Sequence, residues 1–298
     1  DPAAPPPPPL SPARVRAALA DSAVEAAQFC GAACPRIPPP SALVFLRDFV
    51  APNRPCVIQG AISHWPARSL WTDEYLCEKF GDHKIKINAT PNGRGDAVVD
   101  GEFFVLPEER EMTFSEFLTE MRRGEDVLYL SHQDDNFRKQ LQGILGGDVD
   151  ASITFADEAL GLEPDAVNLW FGDSQSVTSL HKDHYQNMYA VVRGKKHFTL
   201  YPPTSLPLLY PRKFKPRQYE KKDGTWTMRS ATGDNAEVFG GGEEKSHQWI
   251  SADPLNPDYA AHPLFQQAVP IQVSVGPGEL LYLPAMWYHQ VAQDDNTL

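Results

Sequence analysis

Two histidines and one aspartate have the residue types and spacing that best fit metal chemistry. His181 and Asp183 stand two positions apart in the segment TSLHKDHYQNMYAVV, which is typical of a β-strand and a turn. Because side chains alternate faces along a strand, the imidazole and the carboxylate should point the same way while Lys182 points the other. Such a pair supplies two of the three ligands of a two-histidine, one-carboxylate iron site. Taken alone, the His-x-Asp pattern favours a solvated polar strand over a metal site.

A third ligand must come from elsewhere in the chain, and His289 is the candidate. It ends the segment IQVSVGPGELLYLPAMWYHQ, whose pattern predicts two strands joined by a Gly-Pro-Gly turn. In a jelly roll, strands that are distant in sequence lie side by side. We therefore expect His289 to approach His181 and Asp183, leaving open coordination positions for a chelating cosubstrate and dioxygen.

A lysine and two hydroxyl groups could hold an anionic cosubstrate beside this metal. Lys196 opens the segment KHFTLYPP directly after a turn at Gly194. A lysine inside a β-barrel is costly unless a carboxylate pairs with it, so an inward-facing Lys196 would bind an anion. Thr178 and Tyr129 could donate hydrogen bonds to the same carboxylate.

The elements that would position these residues are short β-segments. From residue 53 onward, apolar runs such as VLYLSH, MYAVVRG and ELLYLP are separated by Gly, Pro and Asn. This pattern predicts a mainly β fold, a sandwich or barrel with helical additions. The polar, glycine-rich residues 223–256 are predicted to be a long loop or insertion.

Helices are predicted mainly before the β-segments. Residues 1–12 are proline-rich and are predicted to be a disordered tail. Residues 13–40 then comprise a helix and a linker, and Ser41 is the expected N-cap of a second helix. A third helix at 113–124 begins with a Thr-x-x-Glu capping box.

Composition narrows the class of protein. The 298 residues carry a net charge of -12, which argues against binding to duplex nucleic acid. Four cysteines do not form a disulfide framework and fit a reducing compartment. No apolar run approaches the ~20 residues of a membrane span, so no membrane association is expected.

Residues 35–298 resemble the JmjC-domain oxygenases that use iron(II) and 2-oxoglutarate. The resemblance rests on DAVNLWFGDSQSVTSLHKDHYQNMYAVVRGKKHFTLYPP and GELLYLPAMWYHQV. It is closest to small jumonji-only lysyl hydroxylases, a subgroup also described as histone-tail peptidases. It implies a double-stranded β-helix, a cupin-like jelly roll, spanning residues 41–298. It also implies iron ligands and cosubstrate contacts at His181, Asp183 and His289, and at Tyr129, Thr178, Asn187 and Lys196.

The resemblance implies a protein hydroxylase acting on a lysine side chain. The partner it implies is a translation-linked GTPase of the developmentally regulated class, in the cytoplasm with the nucleus as a second location. Asp134, Asp135 or Asp173 could pair with the substrate ammonium. The alternatives are an N-methyl-lysine or arginine demethylase, a metal-dependent peptidase, and a non-enzymatic JmjC-like interaction scaffold.

The chain stops shortly after His289. Family members continue into a last strand and C-terminal helices that commonly support dimerisation. We therefore expect that this sequence lacks the C-terminal end of the catalytic domain, that the full-length form is a candidate homodimer, and that restoring the end would raise stability.

Overall fold

The computed structural model describes residues 11–31, 33–231 and 246–298. The helices are α1 (Pro12–Phe29), α2 (Ala42–Phe45), α3 (Ala67–Leu70), α4 (Asp73–Phe80), α5 (Phe114–Arg123), α6 (Gln142–Leu145) and α7 (Thr154–Leu160). The strands before the predicted ligands are β1 (Arg36–Ile37), β2 (Cys56–Gln59), β3 (Lys84–Thr90), β4 (Arg94–Gly95), β5 (Ala97–Val99), β6 (Phe103–Leu106), β7 (Glu108–Thr113) and β8 (Val127–Tyr129). The remaining strands are β9 (Val177–Lys182), β10 (Asn187–Ala190), β11 (Lys196–Tyr201), β12 (Pro211–Lys222), β13 (Thr225–Ser230), β14 (His247–Ile250), β15 (Ile271–Val275), β16 (Glu279–Leu283) and β17 (Tyr288–Gln293).

Two sheets form the barrel. The larger one has the strand order β15-β11-β17-β9-β4, and the other has the order β1-β2-β16-β10. Neighbouring strands in these sheets come from distant parts of the chain, as in β17 between β11 and β9. This arrangement confirms the predicted jelly roll.

The core between the two sheets follows from alternation along the strands. Strand β15 alternates buried and exposed residues throughout its length. Phe198 and Val291 of the larger sheet pack in one cluster with Val57 and Leu281 of the other. Fully burying side chains of this size stabilises the fold by roughly 1.5–3 kcal/mol each. The barrel wall is therefore rigid enough to hold polar side chains in its interior.

The helix predictions are confirmed with one shift of a boundary. Helix α5 has the predicted capping box, and Ser41 caps α2, which continues as a π-helical turn over Leu46–Val50. Helix α1 begins at Pro12 with Ser11 as its N-cap, so these two residues do not belong to the predicted tail. Proline is tolerated there because a backbone N–H in the first turn has no intrahelical acceptor, so its absence costs no helix hydrogen bond. The rest of the predicted tail, residues 1–10, lies outside the described residues.

The sequence patterns missed several strands. The predicted linker contains β1, which pairs in parallel with β2. The predicted loop at 223–256 contains β13 and β14, both paired with β12, while 232–245 lie outside the described residues. Strand β12 reads PRKFKPRQYEKK, and its charged residues hide the alternation that normally identifies a strand. Cross-strand pairing, which sequence periodicity does not report, holds it in the sheet.

The last residues of the chain pack against the barrel. Leu298 is 5% exposed, and its backbone amide and carbonyl both bond to Arg193. Thr297 pairs with Gly172 in the same way. Among the described residues, no helix has both the length and the apolar character needed to cross a bilayer.

Candidate metal and cosubstrate site

Strands β9 and β17 bring the two predicted histidine ligands together. Residues His181 and His289 are direct partners in this antiparallel pair, and their ring centroids lie 4.2 Å apart. Asp183 follows β9 immediately, and one ligand atom from each of the three residues lies within 4.8 Å of the others. The predicted convergence of sequence-distant residues is thus present in the structure.

Both imidazoles are oriented by the same local hydrogen bond. The Nδ1 atom of His181 lies 2.8 Å from the carbonyl oxygen of Ser179, and that of His289 lies 3.0 Å from the carbonyl oxygen of Trp287. A carbonyl can only accept, so each Nδ1 carries the proton and each Nε2 keeps its lone pair. The Nε2 atoms face the aspartate, 3.7 and 3.6 Å from its oxygens. This is the protonation state a metal ligand requires.

Burial keeps His289 neutral. Its side chain is 5% exposed, and burial together with the nearby His181 lowers its pKa to about 3, despite the opposing charge of Asp183. A neutral imidazole can coordinate a metal ion without first losing a proton. His289 therefore needs no deprotonation before it binds a metal at neutral pH.

Asn187 holds the aspartate in place. Its side-chain amide donates to Oδ2 of Asp183 at 2.9 Å, from strand β10 of the opposite sheet. It was predicted to lie near the cosubstrate, and its described side-chain contact is to the metal-facing carboxylate. Asn187 thus belongs to the outer shell that orients a ligand.

We expect Asn187→Ala to weaken metal binding about 10–100-fold, the range typical for the loss of an outer-shell partner. Anaerobic titration with iron(II) measures this change. His184→Ala is the matched control, because His184 is exposed in the same hairpin. Unchanged iron affinity in the Asn187 variant would show that Asp183 needs no support from β10.

A β-bulge places Thr178 on the inner face with His181. These residues are three apart, which by strict alternation would put them on opposite faces. The pairing with β17 shifts register between His289 and Val291, so Thr178 lies opposite Val291. An extra residue in one strand reverses the alternation beyond it. Thr178 and Tyr129 accordingly line one cavity.

Lys196 is buried inside the barrel without an acidic partner among the described residues. Its side chain is 1% exposed, and its Nζ donates to the Tyr129 hydroxyl at 2.8 Å and to Oε1 of Gln293. It also lies over the rings of Tyr129 and Tyr189. Burial lowers the pKa of Lys196 to about 7. Since an unpaired buried ammonium is costly, this environment favours an anionic ligand.

Tyr129 and Gln293, the two side chains that bond to Lys196, have defined hydrogen-bonding roles. Burial raises the pKa of Tyr129, and the neighbouring Tyr189 raises it further, so the phenol stays protonated and can donate. The amide nitrogen of Gln293 donates to the carbonyl of Asp173 at 2.8 Å, which turns its oxygen toward Lys196. The donor set of two imidazoles and a carboxylate fits iron(II), and the buried ammonium fits a dicarboxylate beside it.

Sequence reasoning missed two residues of this site. Gln293 lies on the inner face with His289 and Val291, because alternate residues of a strand share a face. The same alternation could have identified Gln293 from the sequence. Trp249 stacks on the His181 ring at 5.9 Å with an interplanar angle of 4°, and its Nε1 donates to the hydroxyl of Ser179 at 3.0 Å. Trp249 belongs to β14, in the stretch predicted to be a loop, so no sequence signal pointed to it.

The acidic residues proposed for substrate binding have other contacts. Asp135 accepts from the backbone amide of Val167 at 2.7 Å, and Asp173 accepts from that of Gln175 at 3.0 Å. Asp134 lies 3.2 Å from Nδ1 of His132. Asp135 and Asp173 therefore stabilise loops, and the structure gives no reason to assign these three residues to the substrate.

Comparison with known proteins identifies relatives that cover most of this chain. A family model for the cupin-like domain matches residues 41–298. The chain is 39% identical over 267 residues to the human bifunctional peptidase and (3S)-lysyl hydroxylase JMJD7, covering 87% of this chain and 80% of that protein. It is 40% identical over 268 residues to the lysine-specific demethylase JMJ32 of Arabidopsis thaliana, covering 85% and 75%. It is 33% identical over 286 residues to the JmjC domain-containing protein E of Dictyostelium discoideum, covering 88% and 78%.

Proposed function

This chain belongs to the JmjC-domain family of cupin-like proteins, and we propose that it is an iron(II)- and 2-oxoglutarate-dependent oxygenase that hydroxylates lysine side chains in a partner protein. The oxygenase proposal rests on the convergence of His181, Asp183 and His289. The barrel interior also holds Lys196, which is buried and has no acidic partner among the described residues. A metal-chelating dicarboxylate requires a metal site and a cation near it, and His289 lies on the same strand β17 as Gln293, which bonds to Lys196.

The residues of the chain have separate roles in this reaction. His181, Asp183 and His289 would hold iron(II) through Nε2 and carboxylate oxygens, and Asn187 orients the carboxylate. Lys196, Tyr129 and Thr178 would bind the far carboxylate of 2-oxoglutarate. The bound iron and cosubstrate, with dioxygen, supply the oxidant for an unactivated C–H bond.

The lysine substrate is proposed from the JMJD7 relative, whose name describes a (3S)-lysyl hydroxylase. A net charge of -12 is consistent with attraction of a basic segment. As partner we propose a developmentally regulated, translation-linked GTPase in the cytoplasm or nucleus. The JMJ32 relative, named a lysine-specific demethylase, makes N-demethylation the second candidate.

Mass spectrometry of peptides separates these functions. The chain would be incubated with iron(II), 2-oxoglutarate and lysine-containing peptides from that GTPase class, their arginine-substituted counterparts, and N-methyl-lysine peptides. We expect one added oxygen on the lysine peptides and release of succinate. Loss of a methyl group without stable oxygen addition would replace the hydroxylase with the demethylase, and cleavage would favour a peptidase.

The pKa of Lys196 predicts how cosubstrate binding depends on pH. The protonated amine binds the carboxylate, and burial has lowered its pKa to about 7 in the ligand-free protein. The protonated fraction falls from about one half at pH 7 to about one tenth at pH 8, so the dissociation constant of 2-oxoglutarate should rise about fivefold over this first unit and about tenfold per unit above it. Anaerobic titration of the manganese(II)-loaded protein between pH 7 and 8.5 measures it. A flat profile would mean that Lys196 stays charged throughout.

A further inference from the structure

Asp96 is an acidic residue beside the metal ligands that the proposed site has not used. Strand β4 pairs in parallel with β9, with Gly95 opposite Thr178, so Asp96 stands next to Ser179, two residues before His181. The Ser179 hydroxyl donates to the backbone carbonyl of Asp96, which ties the two strands together. The backbone of Asp96 has φ 49°, in the left-handed region, where aspartate is among the better-tolerated residues.

The Asp96 carboxylate has no described partner. Among residues 11–31, 33–231 and 246–298, no side chain or backbone amide donates a hydrogen bond to it, and no cation forms an ion pair with it. Among neighbouring charges, that of His181 affects the pKa of Asp96 most, and the His181 ring is itself directed at the metal position. Desolvation is the largest influence on its pKa and raises it. A partly desolvated carboxylate of this kind is stabilised when a cation arrives.

Asp96 lies where two cavities meet. It lines the cavity that contains Tyr129 and Thr178, and also a second cavity that contains Glu109 and His132. Neither cavity is lined by a lysine or arginine among the described residues. A cationic side chain can therefore enter from the Glu109 side without meeting a like charge.

A second acceptor lines both cavities. The amide nitrogen of Asn88 donates to the hydroxyl of Ser131 at 2.9 Å, which fixes the side chain. Its carbonyl oxygen has no described donor. An ammonium group has three donors and needs several acceptors at once. The Asp96 carboxylate and the Asn88 oxygen meet that requirement in one place.

We propose that Asp96, assisted by Asn88, binds the ε-ammonium group of the substrate lysine and thereby selects an unmodified lysine. This inference rests on the proposed function, which supplies the reaction, and it adds the site that recognises the substrate lysine. In lysine, four bonds separate C3 from the nitrogen and span about 5 Å when extended. The ammonium can therefore reach a neighbouring strand while the methylene carbons pass the metal position. A trimethylated nitrogen has no N–H to donate and would leave the carboxylate without a hydrogen bond.

The test compares Asp96→Asn with wild-type protein on paired peptides. One peptide carries the lysine, and the other carries norleucine, which keeps the chain length but lacks the ammonium. For the lysine peptide, kcat/KM should fall about 10–150-fold in Asp96→Asn, the effect of losing a charge-assisted hydrogen bond. The norleucine peptide should be equally poor with both proteins. Asp100→Asn is the matched control, because Asp100 also has positive φ but is exposed and lines neither cavity.

Two outcomes would overturn the inference. Equal losses for the lysine and norleucine peptides would show that Asp96 only supports β9. Unchanged kcat/KM for lysine would show that the ammonium binds elsewhere. Anaerobic titrations of Asp96→Asn with iron(II) and with 2-oxoglutarate establish whether the metal and the cosubstrate still bind.

A binding measurement separates this inference from the proposed reaction. The protein is loaded with manganese(II) and 2-oxoglutarate, and the relaxation of peptide protons by the metal is recorded by NMR. Relaxation of the lysine peptide should fall in Asp96→Asn, and that of the norleucine peptide should not change. If this difference appears without hydroxylation, the reaction proposal fails while the ammonium site stands. If it is absent, the site fails whatever the reaction.

Discussion

Replacing Asp183 with alanine should abolish iron-dependent turnover while the barrel stays folded. Asp183 contributes the single carboxylate of the ligand set, and the loss should exceed the 10–100-fold typical of outer-shell partners. Its side chain is about one third exposed, and its described partners are the two histidines and Asn187. Stability should therefore change little. Succinate release, anaerobic iron(II) titration and thermal unfolding measure the three effects.

Lys182→Ala is the control for the Asp183 experiment. Lys182 is the adjacent residue, but it points away from the metal and lies over the Tyr288 ring. We expect near-normal turnover in this variant. Full activity of Asp183→Ala would remove the iron centre from this position, whereas an unfolded variant would show that the carboxylate has a structural role.

Replacing Lys196 with methionine should separate stability from cosubstrate binding. Methionine has a similar length and no charge, so it fills the buried position without the cost of desolvating an ammonium. In the absence of 2-oxoglutarate, the variant should melt at a temperature at least as high as the wild type. The dissociation constant of 2-oxoglutarate should rise at least about tenfold, since a hydrogen bond to a charged group contributes about 1.5–3 kcal/mol.

Lys195→Met is the matched control, because Lys195 directly precedes β11 and is exposed. It should change neither the melting temperature nor cosubstrate affinity. A large fall in melting temperature for Lys196→Met would show that its bonds to Tyr129 and Gln293 stabilise the barrel more than its burial costs. Unchanged cosubstrate affinity would move the anion site, and Arg193 would be the first residue to examine.

The stability cost of Lys196 also explains its surroundings. Tyr129 and Gln293 accept from its amine, and the rings of Tyr129 and Tyr189 lie beneath the charge. These contacts reduce the penalty of burial but leave the pKa of the amine near 7, well below the ordinary value for lysine. The binding site is thus maintained at some expense to the free protein, as is common where polar groups await a ligand.

Local patterns in the sequence determined the parts of the site that depend on neighbouring residues. The two-residue spacing of His181 and Asp183 places them on one face because strand side chains alternate. The Thr113 and Glu116 capping box and the Ser41 N-cap were readable because each is a contact within one turn of helix. The jelly-roll expectation and the family resemblance then linked His289 and Lys196 to them, which no local pattern could have done.

The tertiary structure alone decided which distant residues meet. The bulge that turns Thr178 inward depends on pairing between β9 and β17, and a shift of one residue reverses every side chain beyond it. Strand β12, with its charged residues, exists because β6, β13 and β14 pair with it. The position of Asp96 beside Ser179 likewise follows from the register of β4 on β9. Register between distant strands is set by the packing of the whole barrel, so a single segment of sequence does not contain it.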